Sequence, residues 1–220
     1  MKCRKYCGTF TFTIMRKTIL FLAIPILLAS CAGNQKKLLV LSHNGPAIDP
    51  DNKTIVCKST TGHEEKELDL SGNVSFKIST AAGDATLNMP EKGYYIMNLK
   101  NNDTIIGAYQ NLVSADKGGT FITQVDLKKK IDSLQLLLEG KNVSDANRNF
   151  YILPNTVVKI TSNPDAKIVA PYHPMTSFQP GDDGEAPEVY QFFTIKELRE
   201  LLENLIKHTK AEVPPPPAKK

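Results

Sequence analysis

The hairpin that decides the fold class reads VSFKISTAAGDATLNM over residues 74–89. Residues 74–78 alternate apolar and polar side chains, which is the period of a strand with one buried face. A second short strand pattern follows at residues 85–89, after the turn-forming sequence Ala82-Gly83-Asp84. We therefore expect the two strands to pair as an antiparallel hairpin.

Further strand patterns lie on both sides of this hairpin. They occupy residues 38–41, 54–57, 94–99, 104–109, 149–153, 156–161 and 167–170. The side chains of Asn101-Asn102-Asp103 tolerate left-handed turn geometry. The sequence therefore predicts a second and clearer hairpin, from residues 94–99 to residues 104–109.

Two amphipathic helices are predicted near residues 124–139 and 195–208. Leucine and isoleucine recur at helical spacing in both segments, so each has one apolar stripe. Thr123 and Asp126 have the spacing of a capping box, and Thr194 and Glu197 form a standard one. We expect both helices to cover their own sheet. The fold class is α+β, with mostly antiparallel short strands in a β-sandwich-like arrangement or a mixed sheet.

The longest irregular segment is predicted at residues 171–190. It combines prolines with aromatic and ionisable side chains, which can line a ligand site on a loop. The alternative, which the composition favours, is a loop held to the domain by its apolar side chains. The candidates in this loop are Tyr172, His173, Phe178, Asp182 and Asp183. The two aspartates lack the ligand spacing of a calcium loop, so a solvated turn explains them better. Residues 63–65, His-Glu-Glu, are predicted to form a surface loop.

The charge of the chain divides unevenly at residue 31. The full chain carries 27 lysines and arginines against 23 acidic residues. Five of these cations and no acid lie in residues 1–30, which leaves 22 basic and 23 acidic side chains in the remainder. Nucleic-acid binding requires a dense basic surface that replaces the counterions of the phosphates. The balanced charge of the remainder therefore argues against nucleic acid as a partner.

The N-terminal segment has the three parts of a secretory signal. Arg16 and Lys17 precede an apolar run that ends in small residues. As a helix, the 13 residues 18–30 would extend about 20 Å, short of the roughly 30 Å hydrocarbon core of a bilayer. A cleaved leader therefore explains the run better than a transmembrane span. Met15 directly precedes the two cations, so we expect it to be the true or an alternative initiator.

The end of the leader, Leu28-Ala29-Ser30-Cys31, resembles the lipobox of bacterial lipoproteins. The resemblance covers the leader only and identifies no family for the mature domain. In that family the cysteine thiol receives a diacylglyceryl group, the chain is cut before the cysteine, and the new amine is usually acylated, for example by palmitate. The resemblance therefore implies cleavage between Ser30 and Cys31 and lipid attachment at Cys31. Two or three acyl chains hold a protein firmly at a membrane.

The residues after Cys31 bear on its destination. Ala32 stands where an aspartate often keeps lipoproteins in the inner membrane, and the acidic cluster of some Bacteroidota surface lipoproteins is absent here. The resemblance thus implies the outer membrane, with the domain in the periplasm. We expect a signal peptide at 1–30, a lipidated tether at 31–37, a single α+β domain at 38–212 and a disordered proline-rich basic tail at 213–220.

The sequence contains no recognisable catalytic or cofactor motif. It has no G-x-S-x-G elbow, phosphate-binding loop or dinucleotide fingerprint, and its histidines lack zinc-site spacing. Cys57 lies in an apolar strand-like run, where a small buried side chain is expected rather than a nucleophile. Ser42 and His43 are neighbours on a strand, so they point to opposite faces and form no dyad. No catalytic residue, metal ligand or cofactor is predicted.

The lipid anchor and the lack of a catalytic motif together favour a function other than catalysis. We expect a lipid-anchored envelope protein whose domain binds an envelope protein or a glycan, or has a structural role. The alternative is an envelope hydrolase or isomerase whose site is assembled only in three dimensions. A deep pocket of ionisable groups would favour the enzyme, whereas a flat or apolar patch would favour binding.

Overall fold

The computed structural model describes residues 34–111, 124–175 and 186–211. These residues form twelve strands and two helices, which confirms the α+β class. The strands are β1 (Gln35–Ser42), β2 (Ala47–Asp49), β3 (Thr54–Cys57), β4 (Glu64–Ser71), β5 (Val74–Thr80), β6 (Gly83–Met89), β7 (Gly93–Asn98), β8 (Ile105–Gln110), β9 (Asn149–Ile152), β10 (Thr156–Thr161), β11 (Lys167–Val169) and β12 (Val189–Thr194). The helices are α1 (Gln124–Leu138) and α2 (Ile195–Ala211), close to the predicted 124–139 and 195–208.

The strands form three four-stranded sheets. The first sheet has the order β10-β7-β1-β4, the second β2-β3-β5-β6 and the third β11-β12-β8-β9. Each sheet contains one parallel pair, namely β1 with β7, β3 with β5, and β11 with β12. The other six pairs are antiparallel, so the expectation of mostly antiparallel strands in mixed sheets is confirmed.

The first sheet is buried on both faces. One face packs on the second sheet in a core that includes Val40 and Phe76. The other face packs on the third sheet in a core that includes Ile96 and Phe192. The two helices cover the outer face of the third sheet, where Leu198 is buried. The layers therefore follow one another as second sheet, first sheet, third sheet and helices.

The hairpin over residues 74–89 is confirmed. Val74 lies opposite Met89 and Thr80 lies opposite Gly83 in an antiparallel pair. Val74, Phe76 and Ile78 are buried while the residues between them are exposed, as the alternating sequence predicts. Gly83 has a φ of +127°, a backbone conformation that side chains rarely adopt, so glycine is required at this turn.

The second predicted hairpin, from residues 94–99 to 104–109, is wrong. Strand β7 lies between β1 and β10 in the first sheet, whereas β8 lies between β12 and β9 in the third. Every residue of β7 is buried, because this strand packs on both neighbouring sheets. The turn instead carries the chain from one sheet to the next. Asn98 Nδ2 holds it in place by donating to the carbonyls of Asp103 and Ile152, at 2.8 and 3.1 Å.

Three strands extend into segments with other predicted structures. Strand β1 begins at Gln35, within the predicted tether 31–37, and β12 begins at Val189, within the predicted loop 171–190. The surface loop predicted at residues 63–65 is wrong, because β4 begins at Glu64. Strand β4 is the charged edge of the first sheet and buries only its two leucines. A charged edge strand has the composition of a loop.

Lys36 fixes the beginning of β1. Its Nζ donates to the carbonyl of Gly72 at 2.6 Å and to Asn34 Oδ1 at 2.9 Å. The residue is only 1 % exposed, and burial, together with the charge of Lys159, lowers the pKa of Lys36. The point at which the chain enters the first sheet is therefore well defined by buried hydrogen bonds.

The capping box of α2 is confirmed. The Thr194 amide donates to Glu197 Oε2 at 2.8 Å, and the Glu197 amide donates to Thr194 Oγ1 at 3.2 Å. The cap predicted for α1 at Thr123 lies outside the described residues. In the part of the chain that the structure describes, no helix is long and apolar enough to cross a membrane.

Candidate functional site

A cavity of about 400 Å³ opens between β10 of the first sheet and the third sheet. Its volume falls within the range of roughly 300–1,000 Å³ that is usual for small-molecule sites. Polar side chains dominate its walls, among them Glu91, Arg148, Lys159, Thr161, Glu188 and Tyr190. We call this site the charged cavity.

Arg148 is held rigidly in the wall of the charged cavity. Its guanidinium carbon lies 3.7 Å from the ring centroid of Tyr109 and 5.1 Å from that of Tyr190. Its Nε and Nη2 donate to Tyr190 Oη at 3.0 and 2.6 Å, and Nη2 also pairs with Glu188 Oε1. A guanidinium stacked on aromatic rings keeps a fixed orientation, so its remaining N–H groups are preoriented for an acceptor.

The backbone of Arg148 is unusual as well. Its φ of +52° lies in the left-handed region, which costs a residue with a side chain about 1 kcal/mol. Burial lowers the pKa of Arg148, but its hydrogen bond to Tyr190 and the charge of Glu188 outweigh burial and raise it overall. The contacts with Tyr190 and Glu188 therefore stabilise the charged guanidinium at this position.

Glu188 is the acceptor at the centre of this arrangement. Besides Arg148, it accepts a hydrogen bond from Tyr190 Oη at 2.7 Å. Thr161 Oγ1 lies 3.1 and 3.2 Å from its two carboxylate oxygens. The carboxylate thus has hydrogen-bonding partners from both sheets, most of them at Oε1, and connects β10 to the start of β12.

A second ion pair also lines the charged cavity. Lys159 Nζ donates to Glu91 Oε2 at 2.5 Å. The hydrogen bond from Lys159, and then its charge, lower the pKa of Glu91. The side chain of Glu91 is 69 % exposed and that of Lys159 is 28 % exposed. Solvent therefore reaches the carboxylate of this pair more easily than the ammonium.

A second polar group, which we call the histidine cluster, lies at the other end of the first sheet. Glu65 on β4 bridges two imidazoles through its separate oxygens. His63 Nε2 lies 2.5 Å from Oε1, and His173 Nε2 lies 3.3 Å from Oε2. The structure thus connects the start of β4 to the loop that carries His173.

Tyr172 completes the loop side of the histidine cluster. Its ring meets the His63 ring edge-on, with centroids 4.8 Å apart, and Lys100 Nζ lies 5.2 Å from its centroid. Its amide donates to Glu197 Oε1 at 2.6 Å, and its φ is +68°. The acid that caps α2 therefore also holds an aromatic residue in a left-handed conformation.

Buried ionisable groups with few partners characterise the histidine cluster. His43 is 5 % exposed; its Nδ1 contacts the Gly62 carbonyl at 3.3 Å, and its Nε2 has no hydrogen-bond partner among the described residues. His63 Nδ1 is likewise buried and unpartnered there. Burial lowers the pKa of Lys100 and raises the pKa of Asp103, although the two charges partly oppose these shifts.

Cys57 is a buried thiol, as predicted. It is fully buried in β3, and its Sγ donates only a long contact of 3.9 Å to the His43 carbonyl. Burial raises the pKa of Cys57. A nucleophilic cysteine needs the opposite shift, so this thiol is a packing residue.

The predicted loop candidates are only partly visible. Tyr172 and His173 lie together beside His63, in a site that the sequence alone did not connect to β4. Phe178, Asp182 and Asp183 lie outside the described residues. Ser42 and His43 are both buried; Ser42 Oγ donates to the Glu64 carbonyl, and His43 Nδ1 contacts the Gly62 carbonyl.

The charged cavity was missed by the sequence reasoning. Its residues come from four separate segments, so no local spacing in the sequence predicts the cavity. One signal was available, since Arg148 is one of two arginines after Cys31 against 20 lysines. Where lysine supplies most of the positive charge, a rare arginine indicates a position that depends on the planar guanidinium and its directed hydrogen bonds.

Neither a metal site nor a related protein adds to this description. Within residues 34–111, 124–175 and 186–211, no group of three or more His, Cys, Asp or Glu side chains is placed to hold a metal ion. Comparison of the chain with protein-family models, with curated proteins and with solved structures gave no match. The leader and the two polar sites are therefore the features that bear on function.

Proposed function

We propose that this chain is a lipid-anchored protein of the bacterial cell envelope. In this proposal, the chain is cut between Ser30 and Cys31 and anchored by acylation of Cys31. Ala32, in place of an inner-membrane aspartate, supports the outer membrane, with the domain in the periplasm. The support for this anchor is the lipobox at the end of a charged and then apolar leader. The domain begins close behind it, since β1 starts at Gln35.

The anchor is tested by exchanging two cysteines. Native protein and Cys57→Ala, which removes the buried thiol, are expected to take up labelled palmitate and to partition with membranes. Cys31→Ala is expected to take up no labelled palmitate and to keep the mass of the leader. Labelled palmitate on Cys31→Ala, or its absence from the native protein, would overturn the anchoring proposal.

The domain, in this proposal, binds a polar envelope ligand, and a glycan fits it better than a protein. The observation that carries this conclusion is the charged cavity, whose volume of about 400 Å³ suits a small polar unit. Protein partners are usually bound on flatter surfaces that bury about 800 Å² on each side. Arg148, oriented by Tyr109 and Tyr190, supplies fixed donors for such a ligand.

The binding proposal is tested with the full-length lipoprotein in detergent micelles. Soluble fragments of envelope glycan are added, and amide hydrogen exchange is followed by mass spectrometry. We expect protection in the peptides that contain Arg148 and Lys159. Protection confined to a surface away from the cavity, or crosslinking at the cavity to protein alone, would overturn glycan binding.

A second candidate, an envelope hydrolase or isomerase, is favoured by the histidine cluster. Buried imidazole nitrogens without partners, beside a lysine and an aspartate with shifted pKa values, are typical of proton-transfer sites. Incubating the lipoprotein with envelope polymers and simple esters tests it. Product that appears with native protein and not with His43→Gln would support the enzyme, and no product with any substrate class would count against it.

A further inference from the structure

We propose that the side-chain amine of Lys100 is a covalent binding site for a small aldehyde or ketone, with which it forms an imine. The site goes beyond glycan binding at the charged cavity, because Lys100 belongs to the histidine cluster at the other end of the first sheet. Three features support it, namely a buried amine without a hydrogen-bond acceptor, the ring of Tyr172 that covers this amine, and the nearby acid Asp103.

The first feature is the environment of the Lys100 amine. The residue is 3 % exposed, and among the described residues only its backbone amide finds an acceptor, Asn98 Oδ1 at 3.1 Å. Burial lowers the pKa of Lys100 by more than the nearby carboxylates raise it. More of this amine is therefore unprotonated at neutral pH than in an exposed lysine. The unprotonated amine is the form that attacks carbonyl carbons.

The carboxylates around this amine come from three elements. Asp103 lies in the same connection between β7 and β8, Glu197 lies on α2 and Glu65 lies on β4. Glu65 is already held by two imidazoles, and Glu197 by two backbone amides. None of the three forms a direct ion pair with Lys100 Nζ. The amine therefore has no dedicated carboxylate that would keep it protonated.

The second feature is the Tyr172 ring, which covers the amine on one side. Lys100 Nζ lies 5.2 Å from the ring centroid, and Tyr172 is 54 % exposed. A partly exposed side chain changes rotamer rapidly, so a small molecule can reach the amine without a change in the backbone. The ring also offers an apolar surface to the carbon chain of an aldehyde or ketone.

The third feature is Asp103, whose carboxyl group supplies the proton that imine formation needs. Among the carboxylates near Lys100, its charge acts most strongly on the amine. Burial raises the pKa of Asp103, so it keeps its proton to a higher pH than an exposed aspartate does. Asp103 is therefore the acid-base group of the site.

The reaction proceeds in two steps. The Lys100 nitrogen attacks the carbonyl carbon, the π pair of the carbonyl moves to its oxygen, and a proton passes from nitrogen to that oxygen. The Asp103 carboxyl then protonates the resulting hydroxyl group, which leaves as water while the carbon–nitrogen double bond forms. The Asp103 carboxylate recovers a proton from the nitrogen. The net change is amine and carbonyl compound to imine and water, so no oxidant or reductant is needed.

The test traps the imine by reduction in the full-length lipoprotein in micelles. The protein is exposed at neutral pH to limiting propionaldehyde with cyanoborohydride, and peptide mass mapping measures the rate of alkylation at each lysine. Lys100 is expected to react at least about tenfold faster than the exposed Lys77. Lys36 is the matched control, because it is similarly buried but its Nζ donates to two acceptors. It should react no faster than Lys77.

Two substitutions test the covering ring and the acid. Tyr172→Ala uncovers the amine and should raise the rate at Lys100 about threefold. Asp103→Asn should lower this rate about tenfold. Loss of the negative charge leaves more of the amine unprotonated, so a lower rate in this variant cannot come from the charge of the lysine. Asp132→Asn, on the exposed face of α1, is the control and should leave the rate unchanged.

The outcomes are independent of glycan binding, because neither Arg148 nor Lys159 takes part. Alkylation of Lys100 that is no faster than that of Lys77, in both the native protein and Tyr172→Ala, would overturn the covalent site. A rate in Asp103→Asn that is unchanged or higher would overturn the role of Asp103 in the loss of water.

Discussion

The two ends of the first sheet differ in how completely their ionisable side chains are paired. At the end where β1 and β7 begin, the charged cavity pairs Arg148 with Glu188 and Lys159 with Glu91. At the end where these strands finish, the histidine cluster leaves His43 Nε2 buried without a partner among the described residues. Paired charges hold a fixed geometry for a ligand, whereas a buried imidazole nitrogen without a partner leaves hydrogen-bonding capacity unused.

The largest effect is expected from Arg148→Ala at the charged cavity. Removing the guanidinium leaves Glu188 with one charged partner fewer and uncovers the Tyr109 ring. We expect a loss of about 2 kcal/mol in the free energy of unfolding, below the roughly 3–5 kcal/mol of a fully buried pair because Arg148 is partly exposed.

Denaturant unfolding measures this loss, and the chain supplies its own control. Arg199→Ala on the exposed face of α2 should change the free energy of unfolding by less than about 0.5 kcal/mol. Equal losses for the two variants would mean that the fixed geometry of the cavity contributes nothing to stability.

A smaller effect is expected from Glu65→Gln in the histidine cluster. The glutamine loses the charge that binds His63 and His173, so the loop that carries His173 is held less firmly. We expect a loss of about 1 kcal/mol in denaturant unfolding and faster hydrogen exchange around residue 172. Glu200→Gln, which affects a long and exposed pair on α2, should leave both unchanged.

The stability of the fold is expected to depend on pH through Asp103, near the histidine cluster. Because the pKa of Asp103 is raised above its ordinary value of 3.8, its contribution to stability is full below that pH and is lost as pH rises through the raised pKa. Asp103→Asn lacks this loss. Its free energy of unfolding, relative to the native protein, should therefore increase with pH across that interval.

The matching control is Asp132→Asn on the exposed face of α1. Urea unfolding at a series of pH values measures both variants. A relative stability of Asp103→Asn that stays flat with pH, or that falls, would show that burial does not govern this carboxyl group.

The smallest effect is expected at Glu91, and it has the opposite sign. The pKa of Glu91 is lowered below its ordinary value of 4.5, so the pair with Lys159 stabilises the fold above that pH and is lost as pH falls through the lowered pKa. Glu91→Gln should remove this acidic limb from the stability profile. The same urea series measures it, and an acidic limb that persists in Glu91→Gln would refute the assignment.

The sequence was informative where short-range chemistry decides the structure. The hairpin over residues 74–89 and the capping box at Thr194 were predictable because partners a few residues apart determine them. The hairpin predicted from residues 94–99 to 104–109 failed because a strand buried on both faces can pair with any apolar neighbour. Its actual partners, β1 and β10, are distant in the chain.

The two polar sites were predictable to different degrees. Tyr172 and His173 stood out because a proline-rich loop concentrates unusual side chains. Arg148 and Glu188 did not, because they are 40 residues apart and meet only through the packing of the third sheet. Geometry of this kind follows from tertiary contacts, which a single sequence does not display.

The start of β1 is fixed within a few residues of Cys31, which limits where the domain can bind a ligand. Asn34 and Lys36 are fixed to the fold, and the three peptide steps back to Cys31 span at most about 10 Å. If Cys31 carries the lipid, this short connection keeps the neighbouring opening of the charged cavity close to the lipid headgroups. Such a protein would sample the layer directly against the bilayer, and polymers farther away would have to come to it.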